Sequence, residues 1–359
     1  MRGEQSGQSQ LFSYVPMEAQ IPASHPLRAI RDLVDPVLAR MSGEFDKMYA
    51  KRGRPSIPPE QLLKALLLQV LFTIRSEFQL VESIRFNLLY RWFVGLNADE
   101  TVWDETVFSK NRDRLLAGEI ARKFFEEVLA EAESRKLLSK NHFSVDGTLI
   151  EAWASQKSFK EKGEDDDQDD SSGGRNPEAN FHGERRTNDT HGSTTDPESK
   201  LYKKSKGSEA KLAFLGHVMM ENRNGIAVDV RVTEANGTAE RDAALSMAED
   251  LEGDHRKTIG ADKNYDVRAH NERLRSLNIT PHPATKKNTM IDERTKRHAG
   301  YDVSQKIRKR IEEIFGWSKT VGPMRKVHFR GRRKVEWLFQ FTVAVYNLVR
   351  IRNLVGVAA

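Results

Sequence analysis

The chain has no cysteine among its 359 residues, which excludes disulfides, thiolate zinc sites and cysteine nucleophiles. Any metal must be held through oxygen or imidazole. Long hydrophobic runs are also missing. The most apolar stretch, LLKALLLQVLFTI from Leu62 to Ile74, falls short of the roughly 20 residues that span a bilayer and is closed by Arg75 and Glu77. It reads as a buried helix. The opening MRGEQSGQSQ has no apolar region after its charge, so secretion is not indicated and a cytoplasmic protein without membrane partners is expected.

What the chain has in excess is positive charge. Lys and Arg number 58 against 52 Asp and Glu, a net charge of +6 with a sequence pI near 9.3. This favours a partner of dense negative charge, with nucleic acid first. The hydrophobic fraction of 38% supplies a core for one large or two medium domains.

Residues 1–26 are polar and read as a flexible N-terminus. Helical periodicity then runs from about Leu27 to Leu138 and defines an all-α domain, 27–138. In KRGRPSIPPEQLLKALL, Ser56 and two prolines stand directly ahead of a helical run. The basic RGRP beside them, with Arg52 and Arg54, suits an arm in a DNA minor groove, although such a linker is also simply solvated. SEFQLVESIRFNLLYRWFVGL reads as one helix ending at Gly95, and ETVFSKNRDRLLAGEIARKFFEEVLAEAESRK as a second. Phe78, Phe86, Tyr90, Trp92 and Phe93 recur at helical spacing and are expected in the core rather than on a base-stacking surface.

From Asn141 the pattern changes. HFSVDGTLIEAWA reads as a strand, and AKLAFLGHVMMENRNG with IAVDVRVTEAN as a hairpin turning at Asn222 to Gly225. A helix over Thr238 to Leu251, the strand KTIGAD, a helix over Val267 to Leu277, the strand ITPHPA and a helix in QKIRKRIEEIFGWSKT complete a βββαβαβα order. Between the first two strands, residues 157–207 include EKGEDDDQDDSSGGRNPEAN, a composition that cannot offset its ordering entropy, and they read as a flexible surface insertion. The carboxylate run Asp165, Asp166, Asp167, Asp169 and Asp170 reads as solvated loop rather than metal site.

Within this framework Asp146 lies on the first strand, where a carboxylate is costly to bury without a counter-charge. Asp262 ends the fourth strand, which the order places beside the first. Two convergent carboxylates repel unless a hard cation lies between them, and oxygen ligands of this kind suit magnesium or manganese. The last helix supplies Glu312 and Glu313. At about 100° per residue, with Gln305 as origin, Arg308, Glu312, Gly316 and Lys319 fall within about 60° of it, and Glu313 about 80° away on the far side. Ile307, Ile311, Ile314 and Phe315 form the apolar face, so Glu312 borders the packed side and Glu313 meets solvent. In KVHFRGRRKVEWLFQFTVAVYNLVRIR, the cluster Arg330, Arg332, Arg333 and Lys334 suits DNA phosphates, and Trp337 to Ile351 reads as packing. Glu336 is a rival third carboxylate without a following Lys on its face.

Taken together, HPLRAI, GRPSIPPEQLLKALLL, DETVFSKNRDRL, VDGTLIEA, GADKNYD, RKRIEEIFGWSKT and VAVYNLVRI resemble a DDE transposase of a bacterial insertion sequence. Group five, with its InsH-like N-terminal helical domain, which makes 27–138 a DNA-binding domain, is the best match. The resemblance covers nearly the whole chain. It implies an α/β catalytic domain, 139–353, built as an RNase H-like mixed five-stranded sheet flanked by helices. It implies an acidic triad at Asp146, Asp262 and Glu312 holding two Mg2+ ions, with Mn2+ able to substitute. It also implies cleavage and strand transfer on double-stranded DNA, bound at terminal inverted repeats by a homodimer associated with the nucleoid. The family's helical signature of Tyr, Arg, Glu and Lys maps onto Arg308, Glu312 and Lys319, but Gln305 stands where the tyrosine would be. Arg308 and Lys319 would meet phosphates beside the site. A nuclease of the same fold without strand transfer, a non-catalytic DNA-binding protein and an RNA-directed hydrolase are the other readings.

Overall fold

The computed structural model describes residues 16–49, 52, 56–162, 186–203, 207 and 209–357. Its N-terminal part is helical: α1 (Met17–Gln20), α2 (Pro26–Arg40), α3 (Ser42–Met48), α4 (Pro59–Leu71), α5 (Glu77–Phe86), α6 (Leu88–Val94), α7 (Thr106–Ala117) and α8 (Ile120–Ser134). The apolar run read as a buried helix is α4, which starts behind Pro58 and buries Leu62, Leu63, Leu67 and Leu68. A proline loses no hydrogen bond in a first turn.

Two expected helices are each broken in the structure. The first stops at Asn87, whose side-chain oxygen accepts the N–H groups of Leu89 at 2.9 Å and Tyr90 at 3.4 Å and so starts α6 afresh. The second stops at Gly118, where an added Cβ would lie 2.5 Å from Met48 Sδ, and Glu119 follows in the left-handed region at φ 52°. The aromatic expectation also needs correction. Tyr90, Trp92 and Phe93 are buried, but Phe78 is 60% and Phe86 77% exposed. The inward stripe of α5 is Leu80, Val81 and Ile84, and two residues before or after it is about 200° round the helix.

The C-terminal part holds strands β1 (His142–Glu151), β2 (Phe159–Glu161), β3 (His191–Ser193), β4 (Lys200–Tyr202), β5 (Lys211–Glu221), β6 (Ala227–Glu234), β7 (Lys257–Ala261) and β8 (Ile279–Pro283). Its helices are α9 (Ala239–Glu249), α10 (Arg268–Ser276), α11 (Glu293–Arg297), α12 (Ala299–Ile307), α13 (Ile311–Thr320) and α14 (Arg332–Val357). Across the sheet the order is β6-β5-β1-β7-β8, with β4 on the same edge of β5 as β6. β5 runs antiparallel to β1, whereas β7 and β8 follow parallel to it. This is the RNase H-like mixed sheet the resemblance implied, with the outer position of the five shared by two strands.

The segment 157–207 is more structured than its composition suggests. Among its described residues, β2 pairs with β3 and β4 joins the main sheet. Ser193, Asp196 and Ser199 are buried, and Asp196 accepts the Gly331 N–H at 3.2 Å from 135 residues away. The ends of this segment are tied down by strand pairing and hydrogen bonds together with the burial of Phe159 and the packing of Leu201 against the main core. The aspartate run and Arg54 lie outside the described residues, as do most of Glu161 to Asn180 and of 1–26.

One face of the sheet, including Ile150, Phe214, Val218 and Met220, packs on α13 and α14 in a core that continues into α2, α4 and α8. The division at 138 thus separates sequence patterns, not cores. The other face, with Phe143, Val145, Met219, Ile259 and Ala261, packs on α9 and α10. β6 is an outer strand, and α14 occupies its unpaired backbone groups: Asn347 bonds both the N–H (3.0 Å) and the C=O (2.9 Å) of Ala227, and Glu336 accepts the Val232 N–H at 3.2 Å. Covering an open edge in this way keeps it from pairing with other chains. It also accounts for Glu336 structurally.

Three buried histidines give the fold a pH dependence. Burial, with nearby positive charge, lowers His217, His270 and His282 to about 4 each, against about 6.5 when unfolded. The unfolded chain therefore binds more protons below pH 6.5, and stability from these groups is complete above that value and lost as pH falls toward 4. Urea denaturation at pH 7 and pH 5 should show a lower free energy of unfolding at pH 5. Equal values would show that these rings are protonated in the fold.

Candidate active site

Asp146 and Asp262 are brought together by strand register. Ser144 on β1 pairs with Gly260 on parallel β7, and each aspartate lies two residues further along its chain. Side chains two apart share a sheet face, and neighbouring strands lie about 4.8 Å apart. β7 ends at Ala261, and Asp262 opens the 3₁₀ turn Lys263–Tyr265, so both carboxylates reach the edge where β7 stops and β1 continues. Both are half-buried, and Asp146 Oδ1 accepts the Gly147 N–H at 2.8 Å.

Glu312 is placed by the helix that crosses this face. A Cβ added to Gly260 would lie 2.7 Å from Ser304 Oγ, 3.3 Å from Ser144 Oγ and 3.5 Å from Arg308 Cβ, so α12 rests on the sheet just behind the two aspartates. The expected continuous helix contains a 3₁₀ turn, Arg308–Arg310. At about 120° per residue, that turn brings Ser304, Arg308, Ile311, Phe315 and Ser318 onto one inward face. Arg310 leaves one flank toward Arg223 and Gly225, next to the Glu221 end of β5 that pairs with the start of β1. Glu312 falls on the opposite flank of the helix by the same angles. Glu313 points away from the sheet. Both glutamates are exposed, and Ile307 is half-buried rather than core.

The cationic candidates divide. Arg308 is half-buried and donates to Gln305 Oε1 at 3.0 Å, while Gln305 donates to the His282 carbonyl at 2.6 Å. Gln305, in the position of the family's tyrosine, thus ties the helix to β8. Lys319 lies on the Glu312 flank and is half-buried. Arg330 and Arg333 are exposed, as is Arg52. Arg332 already spans the Val232 carbonyl and Glu336. A cavity of about 740 Å³ lies between α4, α7 and α14, lined by Leu66, Phe108, Trp337 and Phe341, and includes none of the three carboxylates.

The composition of the site fits hard divalent cations: three carboxylates, no thiolate, and two of the three on adjacent strands at one edge. The side chains themselves are not gathered. Among the described residues no three His, Cys, Asp or Glu side chains stand close enough to hold a metal ion.

Two neighbours were missed by sequence reasoning. The Glu240 side chain of α9 lies across Gly147, where a Cβ would come 2.9 Å from its Cγ and Oε1, which explains why glycine follows Asp146. Tyr265 is 1% exposed. Burial, and then the negative charges of Asp146, Glu240 and Asp262, push its hydroxyl well above the usual tyrosine value. The quoted GADKNYD contained this tyrosine, but only the turn after β7 shows where it goes.

Residues 138–348 match the transposase DDE domain family, and residues 15–114 match a transposase domain family of otherwise undescribed function. The chain belongs to the DDE transposases. It is accordingly a DNA transposase, an enzyme of the nuclease and strand-transfer class. No curated protein matches it. Among solved structures it is similar to piggyBac transposase in a synaptic complex with hairpin DNA, at 8% identity over 95% of this chain and 78% of that one, TM-score 0.44. It is also similar to a pre-cleavage Mos1 transpososome, at 11% identity over 85% and 82%, TM-score 0.22. A Mos1 mariner paired-end complex with Mn shows 14% identity over 81% and 86%, TM-score 0.21. These likenesses are distant, and the family assignment rests on the sequence matches. No helix among the transposase's described residues is long and apolar enough to cross a membrane.

Proposed function

We propose that Asp146, Asp262 and Glu312 form the catalytic triad and cut and join DNA at the ends of an insertion sequence. The observation that carries this reading is the register that sets Asp146 and Asp262 on one face at one edge of parallel β1 and β7. The three carboxylates would hold two Mg2+ ions, or Mn2+ in their place, which when bound activate the attacking oxygen and stabilise the leaving one.

The transposase's own residues do the rest. Gly147 leaves room for Glu240 beneath the strand and keeps the Asp146 backbone in the sheet. The Gln305 and Arg308 side chains anchor the helix that carries Glu312 to β8, so the third carboxylate rides on a fixed element. Lys319 on the same flank, with exposed Arg330 and Arg333, offers cations to the backbone of double-stranded DNA. Arg52, next to Arg54, would follow the minor groove. End binding by a homodimer, on DNA in the cytoplasm, completes the reading. End recognition would lie with the helical residues 27–138, which carry basic segments and none of the three carboxylates.

A test uses the full chain, Mg2+, a duplex ending in the element's terminal repeat and a supercoiled plasmid. Cleavage at the repeat and its joining to the plasmid are expected, with a scrambled duplex bound more weakly at matched salt. Cleavage without joining would identify a nuclease, and equal binding of both duplexes would remove end recognition.

A further inference from the structure

Asp266 is 0% exposed, and the bonds to its carboxylate come from amides: the Met290 N–H donates to Oδ1 at 3.0 Å and to Oδ2 at 3.2 Å, and the Asn271 side chain donates to Oδ1 at 3.1 Å. A carboxylate is costly to bury, and this one fixes a loop. The loop starts from β8, which runs parallel to β7 and ends with Pro283 opposite Ala261; the Ala284 N–H then donates to the Ala261 carbonyl at 2.9 Å. Ala284 therefore lies abreast of Asp262, one strand spacing of about 4.8 Å away. From there residues 285–289 read TKKNT, a turn pinned at Ala284 to the residue before Asp262 and at Met290 to the residue four after it. Lys286 and Lys287 in this turn are exposed and make no ion pair among the described residues. Lys263, exposed beside Asp262, adds a third positive charge at the same edge.

Resting on the triad reading above, we propose that this turn is a phosphate clamp: Lys286 and Lys287 bind backbone phosphates of the DNA strand that is cut at Asp262, so that the strand crosses the edge where β7 and β8 end. Two adjacent ammonium groups repel each other, and an anion between them relieves that repulsion. Phosphate contacts of this kind fix where a duplex lies and carry no sequence information. The turn is held by Ala261 and Asp266 before DNA arrives, so its backbone has little freedom left to lose on binding. The register of the strand over the carboxylates is set by the same segment, Ala261 to Asp266, that carries one of them.

The test is binding of the full chain, without divalent metal, to the terminal-repeat duplex and to the same duplex with neutral methylphosphonate linkages around the cleavage position. Wild type should bind the neutralised duplex more weakly. The double variant Lys286→Gln, Lys287→Gln changes only exposed side chains and should melt as wild type does. On the natural duplex its slope of log affinity against log salt should be shallower by about 1.8, roughly 0.9 for each phosphate, and neutralising the linkages should weaken it no further. Lys140→Gln is the control, an exposed lysine ahead of β1 at the opposite end of the sheet, and should keep the wild-type slope. A double variant with the wild-type slope, or with the wild-type loss on neutralised DNA, overturns the clamp while the triad stands, as does wild type that binds both duplexes alike. The triad is judged by a separate readout, Mg2+-dependent cleavage: an Asp262→Asn variant that cuts normally overturns it, and the clamp with it.

Discussion

Replacing Glu312 by Gln is expected to lower Mg2+-dependent cleavage of terminal-repeat DNA by about 10²–10³-fold, the scale of losing one interaction made to developing charge. Folding and DNA binding should persist. The amide keeps the shape and helix propensity of the glutamate, and Glu312 is exposed on the flank opposite Arg310. Glu313→Gln is the matched control. Its side chain is also exposed but lies on the side away from the sheet, where substitutions cost under about 0.5 kcal/mol. A gel cleavage assay of both variants, next to thermal melts, separates them. Normal cleavage by the Glu312 variant, or loss only in the Glu313 variant, would mean that the 3₁₀ turn aims the helix differently.

The largest expected effect on stability is at Glu221, at the end of β5. It is 0% exposed, yet its carboxylate is fully used. Oε1 accepts the N–H groups of Asn224 at 2.6 Å and Ile226 at 3.4 Å, and Oε2 those of Arg223 at 3.0 Å and Ser139 at 3.3 Å. One side chain thus closes the β5–β6 turn and ties it to the segment entering β1. Glu221→Ala leaves four backbone donors without their acceptor and opens a cavity. The expected cost is about 3–5 kcal/mol, near the top of the range for single substitutions. Denaturant unfolding followed by circular dichroism measures it. A loss under about 1 kcal/mol would mean that water replaces the carboxylate at little cost.

Much of the catalytic fold was readable from residue pattern, because each face of a strand repeats every second residue. β1, the β5–β6 hairpin, β7 and β8 fall where alternation and short apolar runs place them, and the pairing of β1 with β7 follows from their order. Asp146 was conspicuous as a charge on a central strand. What escaped notice depends on contacts between distant segments. Asn87 splits a helix through a cap that competes with an otherwise helical pattern, and Gly118 is needed only because Met48 packs there. β3 and β4 lie in a polar segment whose order comes from hydrogen bonds such as Asp196 to Gly331 together with the burial of Phe159. The angular reading of Gln305 to Thr320 assumed one uniform helix. The 3₁₀ turn over Arg308–Arg310 changes the angles on which that reading rested.

The central claim is that Asp146, Asp262 and Glu312 together hold the ions that act on DNA. Anomalous diffraction from crystals of the full chain on cleaved-end duplex, grown with Mn2+, tests it directly. Manganese peaks bounded by these three carboxylates are predicted, with Glu313 and Glu336 remote from every peak. Peaks held by other residues, or peaks at the two aspartates with Glu336 in place of Glu312, would contradict it.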